Sequence, residues 1–132
     1  MRWIRAISSV LLAAGGGAAL ADWTPVGRAN EIYAAYADTA TIRRAGSVVS
    51  MQGLYDFRRQ DYTPDGRALY STAVLREYDC EQRRVRLMSS VDLSGHMGAG
   101  EAVSTSSTPR RWEAVVAGGI DDAFWQIACS AK

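Results

Sequence analysis

Cys80 lies in the segment EYDCEQRRVRL, Glu77 to Leu87, with Asp79 just before it and Arg83, Arg84 and Arg86 just after. A cysteine beside arginines is one pattern for an activated thiol, because positive charge favours the thiolate that attacks an electrophile or ligates a metal. A nucleophile also needs a base, and the sequence holds one histidine, His96, inside the glycine-rich stretch SGHMGAGE. The second cysteine, Cys129, stands near the C-terminus. Two cysteines and one histidine, without close spacing, fall short of the four ligands of a structural zinc site. The serines from Ser104 to Ser107 carry no G-x-S-x-G elbow, and no glycine-rich phosphate loop is present. These residues therefore predict no catalytic group, no metal site and no cofactor, and the chain reads as a non-enzyme.

The state of Cys80 follows from its compartment. MRWIRAISSVLLAAGGGAALA opens with Arg2 and Arg5, continues as an uncharged apolar run and closes on Ala19-Leu20-Ala21. A positive start, a short apolar run and a small-x-small end predict a secretory signal peptide over residues 1–21, cleaved before Asp22. The run is too short for a membrane span, which needs about 18 or more apolar residues. Two cysteines in an exported chain pair, so Cys80 and Cys129 are read as a disulfide. No cysteine follows the leader to accept a lipid, so the expected location is the periplasm or the medium, without a lipid anchor.

Residues 22–132 then form a single domain of 111 residues, within the usual size range. Without Arg2 and Arg5 it carries 13 basic and 14 acidic residues, a net charge near −1. That balance excludes a global basic surplus for nucleic acid or anionic membrane.

The elements read mostly as strands. Ser47 to Phe57 places Val49, Met51, Tyr55 and Phe57 on one alternating face, the period of a half-buried strand. Gly53 falls on that face and predicts a bulge or a close backbone approach. Thr63-Pro64-Asp65-Gly66 is a turn. Ala68 to Cys80 and Arg83 to Leu93 follow as hairpin partners. A turn around Glu81-Gln82 sets Asp79 against Arg84, Glu77 against Arg86 and Tyr78 against Val85. Opposite charges across strands stabilise by about 0.2–1 kcal/mol a pair, so the arginines read first as a solvated ion-pair ladder. The sharper reading makes Arg83, Arg84 and Arg86 an edge that binds an anion or a partner. Arg58-Arg59 and Arg110-Arg111 read as edge or loop charges that deter sheet pairing.

Ser94 to Glu101 reads as a loop, Ser104 to Arg111 as polar and unpatterned, and Trp112 to Val116 as a last strand. From Ile120 the pattern is helical, with Ile120, Phe124, Ile127 and Ala131 on one face and Asp121 and Asp122 at the positive end of the dipole. Cys129 falls on the opposite side, with Trp125. Either the helix stops before Cys129, or both of its sides are covered, by a loop or by a second copy in a homodimer. The fold class is α+β, an antiparallel sheet of about six strands with one C-terminal helix.

The order of these pieces resembles the surface-adhesin protein E-like domain of proteobacteria. The residues that carry the resemblance begin with Trp23 after the leader and the step Tyr36, Asp38, Thr41, Ile42 and Arg43. They continue with a serine-containing strand running into arginines, Ser71, Tyr78, Asp79, Cys80, Arg83, Arg84 and Arg86, and close with Trp112 and Cys129. The resemblance spans essentially the whole mature chain. It implies a sheet with its terminal helix tethered by Cys80–Cys129, and a binding role: the named member type is a surface lipoprotein that adheres to host matrix proteins. The chain departs from that type in lacking a lipid-accepting cysteine and in having Ala117-Gly118-Gly119 before the helix. The function expected is a non-enzymatic binding module for a protein or polyanion. The alternative is a structural or assembly factor of the cell envelope.

Overall fold

The computed structural model describes residues 21–131. The leader read over residues 1–21 lies, but for Ala21, outside them. Seven strands and one helix follow in order: β1 Thr24–Val26, β2 Tyr33–Ala45, β3 Val48–Tyr62, β4 Ala68–Asp79, β5 Arg84–Leu93, β6 Ala102–Ser106, β7 Glu113–Ala114 and α1 Ile120–Ser130. The first six form an antiparallel meander in sequence order, and β7 adds a two-residue pairing to β5.

The step Tyr36, Asp38, Thr41, Ile42 and Arg43 lies within one long strand, β2, which has a register shift between Asp38 and Arg43. The residues of the step build that irregularity. The Asp38 carboxylate accepts the Ala40 N–H at 3.1 Å, and the Thr41 hydroxyl donates to the Asp38 carbonyl at 2.6 Å while accepting the Gln52 N–H of β3 at 2.9 Å. A bulge leaves backbone groups without ladder partners, and these side chains supply them.

The core lies between one sheet face and α1. Val26, Ala35, Ala37, Val49, Met51, Tyr78, Val85, Phe124 and Ala128 are buried in one cluster. Gly53 marks a close approach rather than a bulge: a Cβ there would come within 3.0 Å of the Phe124 ring. Small residues at Ala35, Ala37 and Gly53 let the helix settle close to the sheet.

Part of the polar, unpatterned segment Ser104 to Arg111 is strand, because Ser104 and Thr105 of β6 pair with Asp92 and Val91. An edge strand with a solvated outer side needs no apolar alternation, so its polar sequence hid it. The expected last strand, Trp112 to Val116, shrinks to Glu113–Ala114, although Val115 still enters the core.

The helix problem resolves by rotation. The most buried helix residues are Phe124, Ala128 and Asp122, whereas Gln126 and Ser130 are exposed. The stripe facing the sheet is therefore centred on Phe124 and Ala128, not on Ile120 and Ile127. Cys129 and Trp125 lie on one flank, within reach of the β4–β5 turn, and Ile120 and Ile127 on the other.

Candidate functional site

The β4–β5 hairpin keeps the register expected from its charges: Glu77 pairs with Arg86, Tyr78 with Val85 and Asp79 with Arg84. Its turn runs from Cys80 to Arg83. Asp79 builds that turn. Its Oδ1 accepts the N–H groups of Glu81 and Gln82, each at 3.0 Å, and its Oδ2 accepts from Arg84 at 2.7 Å. Arg83 closes the turn at φ 49°, in the left-handed region, where a non-glycine residue persists only if its neighbours hold it. Its carbonyl accepts the Val115 N–H at 3.0 Å, and its guanidinium donates to Asp122 at 2.9 Å.

The disulfide joins Cys80 to Cys129, so the thiol that suggested nucleophilic chemistry is oxidised. Around it the helix is clamped a second time. The Trp125 indole N–H donates to the Asp79 carbonyl at 2.9 Å, and the Arg83 guanidinium lies over the Trp125 ring, 4.4 Å from its centre. Asp122 accepts from Gly118 N–H at 2.9 Å as well as from Arg83. The side of the helix that carries Cys129 is thus covered by the hairpin turn and the segment before the helix.

The three arginines separate. Arg83 turns to the helix. Arg84 and Arg86 extend from the opposite sheet face, pair with Asp79 and Glu77, and both lie against Trp112, at 5.0 and 4.7 Å from the ring centre. Alternation along a strand does not reach into a turn, so the sequence offered no signal for this division.

His96 lies far from Cys80 in the fold, in the loop between β5 and β6, and forms a latch over the other sheet face. Its Nδ1 lies 3.1 Å from Asp56 Oδ1, which also accepts the Met97 N–H at 2.7 Å, and its ring packs on Tyr70. Ser71 is fully buried beneath the same loop. Its hydroxyl donates to the Gly95 carbonyl at 2.7 Å and accepts the Gly98 N–H at 2.9 Å. Both hydrogen-bonding capacities are spent on loop backbone, so Ser71 fastens the loop. Among the described residues, no group of three or more His, Cys, Asp or Glu side chains is placed to hold a metal ion.

Asp79 and Asp122 are both held below the ordinary aspartate range. For Asp79 the Arg84 hydrogen bond is the main cause and the Gln82 N–H the next. For Asp122 the Gly118 N–H leads, followed by the Gln126 side chain. A depressed native value means that the unfolded chain, titrating near pH 3.9, takes up protons first as the pH falls. The stabilisation is therefore complete well above about pH 4 and is lost as the pH falls through the lowered native values. Thermal melts from pH 7 to 2 should show a plateau and then an acid limb. In the Asp79→Asn/Asp122→Asn variant the plateau should be lower and the limb shallower. An acid limb of wild-type steepness in that variant would contradict the assignment.

This fold and this site define a class: a small α+β domain in which one helix is pinned across an antiparallel meander by a disulfide and an arginine–aspartate–tryptophan clamp. The chain belongs to the surface-adhesin protein E family, whose sequence model matches residues 23–130. Among solved structures it is similar to protein E of Haemophilus influenzae, with a TM-score of 0.66 at 12% identity over 82% of this chain and 83% of that one. A second crystal form of that protein gives a TM-score of 0.68 at 12% identity, covering 82% and 87% of the two chains. Its selenomethionine form gives 0.60 at 14% identity, covering 84% and 95%. No curated protein matches the sequence. At these identities the structural likeness establishes the fold.

Proposed function

We propose that the chain is an exported, non-enzymatic binding module whose mature domain begins at Asp22 and acts in the periplasm or the medium. The observation that carries this reading is the family match, which runs through almost the whole domain and names adhesins. The disulfide supports export, since such bridges persist in oxidising compartments. No helix among the described residues is long and apolar enough to cross a membrane.

The contact surface we favour for a protein partner is the end of the sheet where β3 runs past β2. Ile32, 67% exposed, helps with Phe57 to line a surface cleft of about 390 Å³ there, and Tyr62, 59% exposed, follows Asp61 of the same cleft along β3. A contiguous exposed apolar patch rimmed by polar residues marks an interaction surface. The test is a binding array of extracellular-matrix and envelope proteins, probed with the domain recovered from the export pathway. We expect an N-terminus at Asp22 and salt-tolerant capture of at least one protein. In Ile32→Asp/Tyr62→Ala that capture should fall about tenfold or more, the factor of roughly 1.4 kcal/mol, with an unchanged melting temperature. An uncleaved chain, or no capture above background by folded domain, would count against the reading.

A further inference from the structure

A second cleft, of about 380 Å³, lies between the N-terminal end of α1 and the segment that joins β6 to β7. Its charged walls are Arg76, Arg86, Arg110, Arg111, Glu113 and Asp121. Glu77 pairs with Arg86, so three further arginines meet two carboxylates, a local surplus of one positive charge in a domain whose net charge is near −1. The comparably sized cleft at the far end of the sheet has no such surplus, being lined by Arg59 with Glu31 and Asp61.

The arginines of this second cleft are held in different ways. Arg76 is the fixed floor: its side chain is 17% exposed and lies over the Tyr55 and Phe124 rings, at 5.3 and 5.7 Å. It donates to the Tyr55 hydroxyl at 2.7 Å and reaches Asp121 only at 3.4 Å. Arg86 is braced by Glu77 and Trp112. Arg110 and Arg111 form no ion pair among the described residues, yet the Arg110 N–H is fastened to the Leu87 carbonyl at 2.8 Å. A tethered backbone therefore carries two uncommitted guanidiniums beside a rigid one.

Guanidinium forks match tetrahedral oxyanions, giving two parallel N–H···O bonds to one group. A surplus of one charge suits a monoanionic ester. The volume is at the lower end for small-molecule sites and suits a single sugar or headgroup rather than a folded chain. We propose that this cleft binds a sulfate or phosphate ester group. The proposal deepens the binding-module reading and rests on it only in placing the ligand outside the chain.

The experiment titrates the full mature domain with three probes: a heparin-derived tetrasaccharide, vesicles of phosphatidylcholine containing phosphatidylglycerol, and hexaglutamate. Each is repeated with Arg110→Gln/Arg111→Gln, whose sites are exposed, and with the charge-matched control Arg43→Gln/Arg44→Gln. We expect the tetrasaccharide or the vesicles to bind, and the stronger of the two names the source as sulfated glycan or phospholipid headgroup. Binding should weaken about tenfold in the first variant, less than twofold in the control, and with a smaller salt dependence. No binding of either probe, equal loss in both variants, or equal affinity for hexaglutamate would overturn the assignment. Protein capture on the array without ester binding would refute the cleft and leave the binding module standing. Ester binding without protein capture would keep the cleft and overturn the protein-contact surface at Ile32 and Tyr62.

Discussion

Cys80→Ser should lower the stability of the domain by about 4 kcal/mol. The bridge spans a sequence separation of 49, and closing a loop of that length removes entropy from the unfolded chain worth about this much. A domain of this size has only about 5–15 kcal/mol in total. The expected fall in melting temperature is roughly 15 °C, given the unfolding entropy of a chain near this length. Cys129→Ser, and the wild type under reductant, should melt at the same temperature as Cys80→Ser, because all three remove one constraint. Calorimetry at neutral pH checks this. A fall of less than about 3 °C would mean that Arg83, Asp122 and Trp125 hold the helix by themselves, and that the bridge adds nothing they do not supply.

That corner also shows how much of the molecule was legible in its sequence. The hairpin register could be read because Glu77, Asp79, Arg84 and Arg86 are complementary only in one alignment, and the structure has that alignment. The pairing of the two cysteines could be read from their number and from the export that residues 1–21 predict. The face of α1 could not. Ile120, Phe124, Ile127 and Ala131 suggested a stripe, but the sheet beneath is lined with Ala35, Ala37 and Gly53, and of that stripe the one large ring, Phe124, fills the space those small residues leave while Ile120 and Ile127 fall to its flank. Hydrophobic spacing on a helix says nothing about the shape of the surface opposite, so the centre of the buried stripe was misplaced. The fate of Arg83 was hidden for a similar reason. It sits at positive φ in a turn, and its direction is decided by Asp122 and Trp125, some forty residues later. The cleft that gathers Arg76 with Arg110 and Arg111 likewise joins β4 to a segment far along the chain, which no local pattern records. Ser71 was legible as a marker of the resemblance, but its task of fastening the β5–β6 loop required the loop's backbone positions.

Phe124→Ala should be the most damaging single core substitution on the helix, at about 3–5 kcal/mol. The ring is fully buried and packs at 5.8 Å on Tyr55, which in turn meets Tyr33 edge-on at 5.1 Å. It also closes over Gly53, where an added Cβ would stand 3.0 Å from the ring and 3.3 Å from Val74. Sheet backbone does not collapse into the space a ring vacates, because β3 is paired on both sides at that point, with Ala37 and with Val74. The cavity therefore persists, and the loss approaches the upper end for an aromatic truncation. A double-mutant cycle with Gly53→Ala isolates the contact. Alone, Gly53→Ala should destabilise, since the ring must shift to admit the methyl group. In the Phe124→Ala background the same methyl enters the cavity and should be neutral or stabilising, a coupling of about 0.5–3 kcal/mol. Denaturant melts of the four proteins measure it. Strict additivity would show that the helix does not rest on Gly53 and that the close approach of ring to strand does not set its position.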